Sequence, residues 1–257
     1  MKTPLTDIQI ASIYKVNKQN VLLPKRMARC TPDMHIAIKG IAAEVKNLGG
    51  RLILSDLFRS YEMQLQAHLD YTSKKKKAYS PPPGGSMHEA GRAMDIDVNA
   101  IKISLADFWE IAKKYGVVPI ISKADKKISE CWHFDCRGSH QTVYDYYKTL
   151  PQPNMAPYTA MAVSAILAID VKVDSFAAKN TEAFIQSALI RLGYSPGPID
   201  GNLGAKSKAA LIKAGIETNI ISEIKNILED KLQLQFNEEF HTSFNDEFDD
   251  TKPAHIS

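Results

Sequence analysis

Apolar positions recur at helical spacing from 34 to 48, opened by Thr31-Pro32-Asp33 and closed by Gly49-Gly50. This predicts a helix with an N-cap, a proline at its first position and an acid in its first turn. Arg51-Leu52-Ile53-Leu54-Ser55 predicts a short apolar strand, and Ser60 then caps a second helix through Tyr61, Leu65 and His68. Arg59 falls at the corner between them, where functional groups are often displayed. Lys74-Lys75-Lys76-Lys77 and then Pro81-Pro82-Pro83-Gly84-Gly85 can neither prolong a helix nor enter a central strand, so an exposed loop is expected there. Strand-like 93–98, a helix over 104–115, apolar 117–121, strand-like 131–135 and a helix over 140–150 complete the pattern. Together they predict an α+β domain on an antiparallel sheet.

Pro151-Gln152-Pro153-Asn154 and the stretch 174–180 mark two boundaries, with an Ala-rich apolar segment between them. From Thr181 a helix to Leu192, a loop rich in Gly and Pro over 193–201, and helices near 205–214 and 219–234 predict a small three-helix bundle. The expected division is 1–155, a linker or bridging helix over 156–179, the bundle over 180–236, and an acidic tail over 237–257.

At 257 residues, 44% hydrophobic and 24% charged, the composition is that of an ordinary globular protein. A net charge of +3 is too small to argue for nucleic acid. Cys30, Cys131 and Cys136 form no even disulfide framework and no thiolate zinc spacing, which predicts free, buried thiols. The first residues lack the apolar core of a secretory signal, and no stretch reaches a membrane span. The expectation is a soluble monomer that reaches its site of action without a leader of its own.

The chemistry concentrates in Ser86-Met87-His88-Glu89-Ala90-Gly91-Arg92-Ala93-Met94-Asp95 and in Glu130-Cys131-Trp132-His133. Two imidazoles and one carboxylate leave a fourth zinc position for water, and a further carboxylate beside it serves as base. In a regular strand His88 and Asp95 face opposite ways, as do Glu130 and His133. Gly91 offers the break for the first pair, and a loop or bulge placing Glu130 serves the second. On this reading Glu130 takes the proton of the metal water, the hydroxide attacks a polarised amide, and Arg59 orients substrate or stabilises the oxyanion. Asp97 shares a strand face with Asp95 and competes with it as ligand. Taken singly, each residue has an ordinary explanation as a cap, a solvated face or a packed ring.

Arg59-Ser60-x-x-x-Gln64, Ser86-x-His88-x-x-Gly91-x-Ala93-x-Asp95 and Glu130-x-Trp132-His133 resemble, in order, three signatures of the zinc D-alanyl-D-alanine metallopeptidases. That family comprises cell-wall carboxypeptidases, dipeptidases and phage endolysins and shares its fold with the hedgehog signalling domain. The resemblance covers roughly residues 25–150. It implies one catalytic zinc ion held by His88, Asp95 and His133, with Glu130 as general base and Arg59 at the substrate. It puts Ser86 and Gln64 at the site lining, where Trp132 is also expected to meet substrate, and it favours Asp95 over Asp97.

Ile185-Gln186-x-x-Leu189-x-x-Leu192-Gly193-Tyr194 and Asp200-Gly201-x-x-Gly204-x-x-Ser207 are similar to the three-helix peptidoglycan-binding domain of cell-wall hydrolases, with Ser207 where Thr is usual. The joint expectation is an endolysin-like peptidase cleaving the murein stem peptide at the wall or periplasm, its second unit holding the polymer. The alternatives are a D-Ala-D-Ala carboxypeptidase and a zinc-stabilised wall-binding protein without catalysis.

Overall fold

The computed structural model describes residues 1–242, so most of the expected acidic tail, 243–257, lies outside the described residues. The architecture is mixed α+β. Short strands β1 (Thr6–Asp7) and β4 (Arg29–Cys30) pair antiparallel, and a six-stranded sheet carries the rest. Its members are β2 (Ala11–Val16), β3 (Gln19–Leu22), β5 (Leu54–Asp56), β6 (Ala93–Ile96), β7 (Val117–Pro119) and β8 (His133–Cys136). They run in the order β3-β2-β5-β6-β8-β7. The expected antiparallel sheet is corrected to a mixed one, because β2 pairs β5 in parallel while the other neighbours are antiparallel. The chain between β2 and β5 forms β3, β4 and a helix, a crossover long enough to bring β5 back in the same direction.

That helix, α1 (Pro32–Asn47), begins at Thr31 with the proline at its start and buries Met34, Ala37, Ile38, Ile41 and Val45 along one stripe. With α3 (Leu105–Lys114) it covers one sheet face, where Met94 and Phe134 point into a core shared with Phe108. Residues alternate along β6 and β8, so Ala93, Asp95, His133 and Asp135 face the other way.

The second face is roofed by helices. α5 (Pro157–Ala168) is buried without a break from Ala160 to Ala168, as a helix apolar on nearly every face must be. It packs against α4 (Gln141–Thr149), α6 (Asn180–Arg191) and the 3₁₀ turn Met87–Ala90. Met87, Ala90, Ala93 and Val143 share one apolar cluster with α5, α6, α7 (Ala205–Lys213) and α8 (Ile221–Gln235). Packing is thus continuous across the divisions expected at 155 and 179. Where the acidic tail was expected to begin, Asn237–Glu239 form a 3₁₀ turn with Glu239 fully buried. The three cysteines are free and buried. Among the described residues no helix is long and apolar enough to cross a membrane.

Candidate active site

Three neighbouring strands put a row of polar residues on one sheet face. Asp56 is opposite Asp95 across β5 and β6, and Asp95 is opposite His133 across β6 and β8. Directly opposed residues of an antiparallel pair share a face, so register alone brings Asp95 and His133 together. His88 arrives from the 3₁₀ turn, which Ser86 and Glu89 cap reciprocally. Gly91 follows in the left-handed region at φ +63°, and a Cβ there would stand 2.9 Å from Cys30 Cα. The motif thus needs glycine twice over, for backbone angle and for close approach to β4.

One ligand atom from each of His88, Asp95 and His133 lies within 4.8 Å of the others, and all three residues are buried. Asp95 Oδ1 is 2.9 Å from His133 Nδ1 and 3.3 Å from His88 Nε2. His88 Nδ1 donates to the Leu57 carbonyl at 2.8 Å, which leaves Nε2 as the ring nitrogen that faces Asp95. That buried Nε2 has no hydrogen-bond partner. An orphaned imidazole nitrogen facing a carboxylate and a second imidazole fits zinc, whose catalytic sites keep three protein ligands of this kind. Asp97 lies past the end of β6, where its Oδ1 accepts from Asn99 N, and it is not in the group.

Burial opposes charging of His133, but Asp135 and Asp95 outweigh it and push its pKa up to about 10. Burial likewise opposes ionisation of Asp95, yet His88 and His133 hold its carboxyl well below the usual range. In the metal-free protein, then, a proton bridges His133 and Asp95. A ligand must be deprotonated, so zinc uptake near pH 7 is expected to release about one proton, and affinity should fall roughly tenfold per pH unit of acidification. Calorimetric titration in buffers of different ionisation enthalpy measures that proton; buffer-independent heats would show that it is not there.

Arg59 stands at the corner between β5 and α2 (Tyr61–Thr72) and is buried. Its Nε donates to Asp56 Oδ2 at 2.6 Å, and Nη2 lies 3.5 Å from Asp95 Oδ2. Gln64 is fully buried behind it: Oε1 accepts from Arg59 Nη1 at 3.1 Å, and Nε2 donates to Ser80 Oγ and the Pro81 carbonyl. Gln64 thereby ties Arg59 to the Pro-rich loop. Glu89 holds the same loop by accepting from Gly84 N and Ser86 N, while burial pushes its carboxyl up to about 7.

A cavity of about 650 Å³ opens above the row and is lined by Arg59, Ser86, Glu130 and Trp132 together with the three clustered residues. Glu130 takes the left-handed region at φ +68° just before β8, which turns its side chain away from the strand alternation and into this cavity. Burial raises its carboxyl, against the pull of His133. Two groups went unnoticed in the sequence. Asp135 Oδ1 accepts from His133 Nε2 at 3.0 Å, and Tyr158 of α5 donates its hydroxyl to the same oxygen at 3.1 Å. Asp135 follows His133 by two positions on a strand, a spacing that puts both on one face; nothing local announces Tyr158.

A buried His-Asp-His group thus shares one cavity with a carboxylate and an arginine, an arrangement with the donor set for a metal ion. Residues 28–146, just under half of the chain, match the family model VanY, D-alanyl-D-alanine carboxypeptidase. Solved structures similar to the chain include the LdcB LD-carboxypeptidase, at 21% identity and a TM-score of 0.40, covering 51% of this chain and 66% of that one. The match therefore spans just under two thirds of the LdcB chain. The L,D-carboxypeptidase DacB from Streptococcus pneumoniae shows 21% identity and a TM-score of 0.33, covering 47% of this chain and 78% of that one. The vancomycin-resistance D,D-pentapeptidase VanY of a VanB-type cassette, in complex with Zn(II), shows 16% identity and a TM-score of 0.36, covering 52% and 84%. No curated protein matches the chain.

Proposed function

We propose that the protein is a zinc-dependent peptidase that hydrolyses an amide bond in the stem peptide of peptidoglycan. The observation that carries this is the orphaned His88 Nε2 within the His88, Asp95 and His133 group, at the floor of a cavity that also presents Glu130 and Arg59. Zinc bound there supplies Lewis acidity toward a substrate carbonyl and a water molecule. Glu130 accepts the proton of the attacking water at its carboxylate and returns it to the leaving amine. Arg59, held by Asp56 and Gln64, meets the negative charge developing on the carbonyl oxygen. Trp132 and Ser86 bound the space in which the peptide lies.

Removal of a terminal residue is the reading the family supports, and Arg59 with Lys76 gives the cavity two cations suited to a terminal carboxylate. One observation favours internal cleavage of endolysin type. A second groove, lined by Tyr14, Arg26, Glu62 and Gln66, shares Asp56, Arg59 and Lys76 with the cavity and leaves room for a longer chain. In either case the site of action is the wall or periplasm and one metal ion suffices.

We assign retention on murein to α6–α8. Their turn-rich loop is pinned by Gln186, which accepts from Asp200 N and Gly201 N and donates to Asp200 Oδ1. The loop is thus held as a rigid surface.

Purified peptidoglycan digested by the zinc-replete protein and analysed by mass spectrometry tests the reading. Loss of a single terminal residue identifies a carboxypeptidase, and new amino termini within the stem identify an endopeptidase. A digest indistinguishable from that of Glu130→Gln would leave only wall binding without catalysis.

A further inference from the structure

We propose that Tyr158, brought by a helix outside the family segment, is a positioning residue of the metal centre: it holds Asp135, and through Asp135 it aims His133. The inference rests on the zinc reading above. Asp135 is fully buried, and a carboxylate only accepts hydrogen bonds. Its Oδ1 stands 3.0 Å from His133 Nε2, so that nitrogen carries the hydrogen and Nδ1 is the atom turned toward Asp95. The tautomer that leaves Nδ1 available as ligand is therefore set by Asp135.

What sets Asp135 is the Tyr158 hydroxyl. It donates to the same Oδ1 at 3.1 Å and lies 3.5 Å from His133 Nε2, closing a triangle of three side chains. The other carboxylate oxygen, Oδ2, is buried without a hydrogen bond, and Arg137 Nε waits 3.7 Å from it, also unbonded. Without the hydroxyl, nothing on the Oδ1 side except His133 resists rotation of the carboxylate toward Arg137. Tyr158 is placed by the burial of Ala160 to Ala168, and the same helix packs on the turn that carries His88. One helix thus frames two ligands, one by packing and one by a hydrogen bond.

Tyr158→Phe removes the hydroxyl and keeps the ring. Measured by chelator competition on the full chain, its zinc affinity is expected to fall about 10- to 100-fold, the usual scale for losing an outer partner of a metal-bound histidine. The thermal midpoint of the metal-free protein should stay close to wild type, and turnover should recover with excess zinc at unchanged KM. In an Asp135→Ala background the same substitution should cost less than threefold, because the acceptor it acts on is gone. Unchanged zinc affinity in Tyr158→Phe overturns the proposal, as does an equal loss in both backgrounds. If Tyr158→Phe fails to fold, Asp135→Ala alone decides: unaltered zinc affinity there removes the link through which Tyr158 acts. A wild-type protein that takes up no zinc sinks the metallopeptidase reading itself, an outcome distinct from wild type and Tyr158→Phe binding equally tightly.

Discussion

Glu130→Gln is expected to bind zinc as wild type does and to lose turnover by about 10²- to 10⁴-fold, the range that a positioned general base supplies. The two halves of this expectation come from different observations. Zinc binding should persist because Glu130 is outside the group formed by His88, Asp95 and His133. Catalysis should collapse because glutamine keeps the shape of the side chain but cannot accept the water proton. Burial raises the Glu130 carboxyl, which makes it a stronger base than an exposed glutamate. The loss should appear in kcat with little change in KM, since proton transfer occurs only on the way to the transition state. Turnover within threefold of wild type, with zinc loading verified by metal analysis, would remove Glu130 from the mechanism.

The centre of this site was legible in the sequence because its instructions are local. Gly91 announces the break that frees His88 from strand parity, and its φ of +63° beside Cys30 is the physical reason. The fingerprint also separated Asp95 from Asp97, which ends in a turn with Asn99. What surrounds the centre was not legible. The β2–β3 hairpin turns through Asn17 and Lys18, both at positive φ, without the glycine that usually marks such a turn. Its strands also leave Tyr14, Lys15 and Val16 exposed, so no alternation betrays them. The parallel pairing of β2 with β5 depends on long-range register that no local pattern encodes. The Ala-rich stretch read clearly as apolar, but its destination on the metal motif, and hence the reach of Tyr158 to Asp135, is a tertiary fact. Charged residues mislead in the same way: Arg92, Arg191 and Glu239 suggest surface by type, yet they are 0%, 2% and 0% exposed.

Those three residues yield the largest stability effect expected in the molecule. Glu239→Ala should destabilise by about 3–5 kcal/mol, because breaking a buried ion pair strands its partner's charge. Glu239 Oε2 accepts from Arg191 Nη2 at 2.7 Å, and Oε1 accepts from Ser139 N at 2.7 Å and lies 3.6 Å from Arg92 Nη2. Arg92 also pairs with Asp33 and donates to the Cys136 carbonyl at 2.9 Å, so the network clamps the start of β6 to the end of β8. The strands clamped are the two that carry Asp95 and His133, and zinc retention on heating should fail together with the fold. The response to pH is set by two groups. Arg92 and Arg191 outweigh burial and lower the Glu239 carboxyl, whereas burial, reinforced by Arg191 and Arg92, holds His140 well below its ordinary value. Both folded values lie below the unfolded ones, so each contribution is full above the unfolded pKa and is lost as pH falls below it. Wild type should therefore begin to soften below about pH 6.5 as His140 is forced to charge, and again below about pH 4.3 as Glu239 protonates. In Glu239→Ala the upper limb should remain and the lower one flatten. Thermal midpoints between about pH 2.5 and pH 8 check this. A variant whose midpoint at pH 7 stays within about 2 °C of wild type, where a drop on the order of 10 °C is expected, would show that the buried arginines do not depend on Glu239.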